Sequence, residues 1–154
     1  MKKCVFVLLV FAMIISLSGC FFQLFQTEMP YAFRQSADQI TAIEIIRKQY
    51  DSISAETPMY VLKTFEENEY QTVLDGINSV PGGRNGLEPG RGIGLYIIRI
   101  TYADGEIELL GDYNNGYIST DGKIHQDCYA FYTEEYYDLI SSLLGEEITD
   151  YTYG

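Results

Sequence analysis

Residues 95–110 read LYIIRITYADGEIELL, two β-branched and aromatic runs joined by Asp104-Gly105. Aspartate followed by glycine accepts the positive φ that a tight hairpin turn demands. This segment therefore commits the chain to an antiparallel pair, with strands over 95–103 and 106–110. A two-residue turn sets Ala103 opposite Glu106, Tyr102 opposite Ile107, Thr101 opposite Glu108 and Ile100 opposite Leu109. Ile100, Tyr102, Ile107 and Leu109 then share one face, while Thr101, Ala103, Glu106 and Glu108 share the other. A slip of one residue scrambles that sorting. The second face, which also bears Arg99, is expected to meet water.

The remaining elements are read around this hairpin. Residues 40–47 (ITAIEIIR) place Ile43 and Ile45 on one face of a strand. Residues 59–62 (MYVL) form a short partner strand, after a loop over 51–58. Thr64-Phe65-Glu66-Glu67 has the form of a capping box, in which Thr64 accepts an amide and Glu67 reaches back. Tyr70, Val73, Leu74 and Ile77 follow as one apolar stripe. Gly76 weakens this helix slightly, and Pro81-Gly82-Gly83 ends it. Asn115-Gly116 and Asp121-Gly122 repeat the turn chemistry and imply short strands over 117–120 and 123–125. A final helix over 134–144 has Thr133 as its N-cap, a stripe of Tyr136, Leu139, Ile140 and Leu143, and Gly145 as its stop. The order implies an α+β fold: a two-layer sandwich, with an antiparallel sheet of about four to six strands and two helices packed on one face. The single domain spans 40–145, and residues 146–154, ending DYTYG, are expected to fray.

The N-terminus carries a different kind of information. Met1-Lys2-Lys3 precedes an apolar run from Cys4 to Leu17, the parts of an export signal. Leu17-Ser18-Gly19-Cys20 resembles the lipobox of bacterial lipoproteins at all four positions. That resemblance implies cleavage before Cys20, lipid on its thiol, a signal peptide over 1–19 and a lipidated tether over 20–39, ordered from about Tyr31-Ala32-Phe33. Two acyl chains suffice for stable membrane attachment, where one binds reversibly. Read from hydropathy alone, residues 5–25 are also long enough to span a bilayer uncleaved. Both readings leave the lysines inside and the domain outside the cytoplasm.

The chain carries 22 acidic and 10 basic residues, for a net charge of −12, and residues 1–19 hold two of the lysines and no acid. The remainder is thus more acidic still, which argues against nucleic acid as a partner. Of three cysteines, Cys4 leaves with the signal and Cys20 carries lipid, so Cys128 has no partner for an intramolecular disulfide.

Four features invite a chemical reading. Residues 81–94 (PGGRNGLEPGRGIG) are glycine-rich and contain Arg84 and Arg91. A phosphate cradle follows a strand and opens a helix, and here the order is reversed. The segment reads as a long connection whose arginines are the best candidates for docking a partner. Residues 112–123 depart from a calcium loop, with Tyr117 and Lys123 where glycine and glutamate belong. His125 and Cys128 could pair as base and nucleophile, but no second histidine completes a zinc site. Glu66/Glu67 and Glu134/Glu135 lie in first helical turns, where they complement the helix dipole. No catalytic set, metal site or cofactor motif emerges. In layout and composition, residues 20–154 are similar to small lipoproteins of Gram-positive bacteria. The expected function is that of a lipid-anchored, non-catalytic envelope module binding a protein or peptide partner. The alternatives are a small-molecule or ion-binding module, or a hydrolase using carboxylates or Cys128.

Overall fold

In the computed structural model the described residues are 29–48, 59–84, 94–112, 114–127 and 129–149, with Arg84 described by its backbone alone. Residues 1–19, Cys20, the loop 51–58, Arg91, Cys128 and the terminal DYTYG lie outside them.

Strand β1 (Ile40–Lys48) alternates as its sequence demands, with Ile43 and Ile45 in the main core and Ile46 on the opposite face. It pairs antiparallel with β2 (Met59–Thr64), two residues longer than the sequence suggests. Ile45 faces Lys63 and Ile46 faces Val61, which leaves Leu62 as a bulge. On its other side β1 meets β4 (Tyr96–Tyr102), which continues through β5 (Ile107–Leu110), β6 (Gly116–Ile118) and β7 (Ile124–Gln126). The six-stranded sheet has the order β2-β1-β4-β5-β6-β7, and every pair in it is antiparallel.

Helix α1 (Tyr70–Ser79) and helix α2 (Thr133–Leu144) cover one face. Val73, Leu74 and Ile77 meet Tyr136, Tyr137 and Ile140 over Ile43, Ile45, Ile98, Ile100 and Leu110. Each fully buried aliphatic side chain here contributes about 1.5–3 kcal/mol. Gly76 has a packing role beyond its propensity cost: a Cβ there would lie 2.7 Å from Leu139 Cδ1, so its absence lets the helices approach. The α+β two-layer arrangement matches the expectation. Among the described residues, no helix is long and apolar enough to cross a membrane.

Several local expectations are corrected. The capping arrangement lies two residues later than Thr64 and Glu67: the Glu66 N–H donates to Glu69 Oε2 at 2.9 Å. It heads a 3-10 turn, Glu67–Glu69, because Thr64 is still in β2. The long connection after α1 contains a strand, β3 (Gly82–Arg84), paired with β8 (Tyr129–Phe131) in a second small sheet. Glycine permits it, since a Cβ on Gly82 would lie 2.7 Å from the Ala130 carbonyl oxygen. Thr133 opens α2 and Tyr132 is its cap. Gly145 ends that helix at φ 75°, as read. The core then extends to Ile148, whose N–H donates to Ser141 Oγ.

The most consequential correction concerns the hairpin. Thr101 faces Ile107, Ile100 faces Glu108, Arg99 faces Leu109 and Ile98 faces Leu110, one residue away from a two-residue turn. Tyr102 donates its N–H to the Glu106 carbonyl, and Gly105, at φ 88°, donates to the Tyr102 carbonyl. The loop thus has three residues, with glycine in the left-handed position. The shift moves Ile107 and Leu109 to the face with Ile46 and Ile97. It also turns Glu108 from solvent into the helix-side core.

Candidate functional site

Glu108 is 0% exposed. Its carboxylate accepts hydrogen bonds from the Tyr102 hydroxyl, on the facing strand, and from the Tyr31 hydroxyl, 77 residues earlier in the chain. The Arg34 backbone N–H adds a long contact at 3.5 Å. Burial raises the Glu108 carboxyl above the usual carboxylate range, against the lowering effect of the tyrosine donors. Burial and the adjoining carboxylate push both tyrosine hydroxyls upward.

Residues 29–36 form a strap that reaches this carboxylate without joining the six-stranded sheet. The Tyr31 ring sits among Phe33, Tyr129 and Phe131, with centroids at 5.2, 5.1 and 5.5 Å. Arg34 Nε donates to Glu106 Oε2 at 3.3 Å, and its guanidinium lies 3.4 Å from the Tyr117 ring centroid. Gln35 Nε2 donates to Asp104 Oδ2 at 2.7 Å. The three-residue loop sets up these acceptors. Asp104 Oδ1 takes the Glu106 N–H at 2.9 Å, which stiffens the tip and lowers the Asp104 carboxyl. At the strap's start, the Met29 N–H donates to the Gly82 carbonyl and the Tyr129 hydroxyl to the Met29 carbonyl. The small sheet β3–β8 is thus one wall of the seat.

His125 lies on β7, stacked on Tyr117 at 4.5 Å with planes 10° apart. Its Nε2 is 3.2 Å from Ser119 Oγ, and Ser119 donates to Asp121 Oδ1 at 2.6 Å. Acyl transfer needs the carboxylate on the far nitrogen of the imidazole. Here Asp121 instead holds the serine and Lys123 Nζ, the latter at 2.6 Å, and its carboxyl is lowered to about 2, chiefly by Lys123. The trio closes the β6–β7 loop rather than forming a nucleophile and base. Cys128, the other half of the pair considered above, lies outside the described residues.

Of the two arginines proposed for docking, Arg84 contributes its backbone to β3 opposite Tyr129, and Arg91 is outside the description. Glu134 and Glu135 occupy the first turn of α2, as expected. Among the described residues no cluster of three or more potential ligands is placed to hold a metal.

A second surface lies at the other side of the sheet. β2 is an edge strand, and Met59, Tyr60, Val61 and Leu62 are 42–54% exposed. Among the described residues no strand pairs with the outer side of β2, and four consecutive large apolar residues on such an edge are unusual, because such edges recruit further strands. No family model, curated protein or solved structure matches this chain. Its surfaces are therefore read from their own chemistry.

The sequence suggested order from about Tyr31 but pointed neither to Glu108 nor to its contact with that segment. A signal was present: Ala103-Asp104-Gly105 fits a three-residue loop as well as a two-residue one, and that choice alone decides where Glu108 points. The same loop recurs at 120–122, where Gly122 has φ 80° and donates its N–H to the Ser119 carbonyl.

Proposed function

We propose that this chain is a lipid-anchored, non-catalytic module outside the cytoplasm that takes up an extended segment of a partner protein along β2. The lipobox-like Leu17-Ser18-Gly19-Cys20 supports the anchor. The observation that carries the binding role is the exposed run Met59–Leu62 on the sheet edge. An added strand would pair with the outer backbone groups of β2, which no other described strand meets, and cover alternate side chains, the usual division between affinity and specificity in strand addition. The chain has 22 acidic residues, but β2 has none. The fitting partner segment is apolar. The bulge at Leu62 limits the pairing to a few residues and keeps the edge from indiscriminate association.

Photo-crosslinkers at positions 60 and 61, mapped by mass spectrometry in intact cells, test this. Crosslinks at alternating positions of one partner segment are the expected result. Adducts scattered over unrelated proteins would remove the edge-strand reading. The anchor is tested separately by acyl-chain labelling, which Cys20→Ala should abolish.

A further inference from the structure

We infer that the partner taken up along β2 is itself held in the membrane that carries this chain, by a span or a lipid of its own, and presents its apolar segment within about 65 Å of the lipid. The inference rests on the anchor and edge-strand readings above and adds a distance to them. The strap supplies that distance, because its first residue is pinned. The Met29 N–H donates to the Gly82 carbonyl at 3.0 Å, and the Tyr129 hydroxyl donates to the Met29 carbonyl at 2.8 Å. Tyr31 and Phe33 then pack against the core, and Arg34 and Gln35 bond to the hairpin tip. The chain is thus fixed to the domain from residue 29, well ahead of β1 at Ile40. Nine residue steps separate Met29 from Cys20, and whatever their conformation they span at most about 30 Å. With the strap unpinned, the twenty steps from Cys20 to Ile40 would reach about 70 Å. A domain of this size is about 35 Å across, so β2 lies no farther than about 65 Å from the lipid.

The edge needs that confinement. Met59, Tyr60, Val61 and Leu62 are about half-exposed, and the bulge at Leu62 shortens the pairing. So small an apolar area offsets little of the freedom lost when two proteins associate from solution. Two proteins restricted to one thin layer meet at a high local concentration, which supplies what the contact area does not. The lipid surface is a poor occupant of the edge. The chain's 22 acidic residues against 10 basic ones repel an anionic membrane, and acyl chains offer no backbone groups for a strand to pair with.

The test compares the acylated full chain with one carrying a spacer of about 30 glycine and serine residues between Glu28 and Met29. The insertion point lies outside the strap, so the domain keeps its fold, which equal unfolding midpoints verify. Both chains carry a photo-crosslinker at position 61, and adducts are quantified in intact cells. The expected partner has a membrane span or a lipid anchor. Its adduct falls about ninefold with the spacer, because local concentration drops roughly as the −3/2 power of tether length. The same spacer placed after Gly154 leaves the yield unchanged. A partner with no membrane attachment overturns the inference, and so does a specific adduct whose yield ignores the spacer before Met29. Absence of a specific adduct in both chains overturns the edge-strand reading and this inference with it. Absence of acyl label on Cys20 does the same through the anchor reading.

Discussion

Replacing Tyr31 by phenylalanine removes one oxygen atom and little else. The ring keeps its contacts with Phe33, Tyr129 and Phe131, so the packing contribution of the residue is retained. What is lost is one of two hydroxyl donors to a carboxylate with no solvent access. Hydrogen bonds to charged groups contribute about 1.5–3 kcal/mol, and a buried acceptor left short of donors adds its own penalty. A loss of about 2 kcal/mol lowers Tm by about 8 °C for a domain of about 100 residues. The effect has a pH signature. Burial raises the Glu108 carboxyl in the folded state. A carboxyl raised in this way contributes stability that is fully present below its unfolded pKa and lost as pH rises through its folded pKa. Removing a donor from the ionised form steepens that loss, so the deficit of Tyr31→Phe is largest at neutral pH and shrinks on acidification. Thermal and urea unfolding followed by circular dichroism, from acid to neutral pH, measure both. Combining the change with Glu108→Gln isolates the pair: the two effects should fall well short of additive. A Tm drop under about 2 °C at neutral pH, or a deficit that does not vary with pH, would refute the argument.

Other substitutions probe the parts that build the seat. Gly105→Ala meets no neighbouring atom but must adopt φ 88°, so it should cost about 1 kcal/mol through the backbone alone, read as a lower urea midpoint with unchanged slope. Gly82→Ala forces a Cβ within 2.7 Å of the Ala130 carbonyl oxygen and 2.6 Å of the Tyr129 hydroxyl. Its expected outcome is local opening of the small sheet, seen as faster amide exchange at residues 129–131 with slower change in β1 and β4. Ile148→Ala should destabilise by about 2 kcal/mol in the same unfolding assay, since the side chain is 7% exposed against the core. An unchanged midpoint would mean that the segment beyond Gly145 does not contribute to the cooperative unit.

Much of the architecture was legible in patterns that depend only on near neighbours. The alternation of residues 40–47, the stripe Val73-Leu74-Ile77, the helix stop at Gly145 and the positive-φ turns at Gly105 and Gly122 are local facts, and each is reproduced, whereas Gly116, read as a turn, opens strand β6. Errors entered where a distant partner decided between local options. Gly82 and Gly83 look like a connection until Tyr129–Phe131 supplies strand partners. Tyr137 lies beside the expected stripe of α2 and is buried because Tyr96 and Tyr136 pack against it edge-on.

From its own order of residues, the chain determines an antiparallel sheet and two amphipathic helices on one face. Tertiary structure alone decides that the Asp104-Gly105 turn takes three residues, because only that register allows Glu108 to meet both Tyr102 and Tyr31. The physical reason is that one added loop residue exchanges the two faces of a strand. The energy difference between the two registers resides in contacts with residues far away in the chain, here a hydroxyl 77 positions earlier.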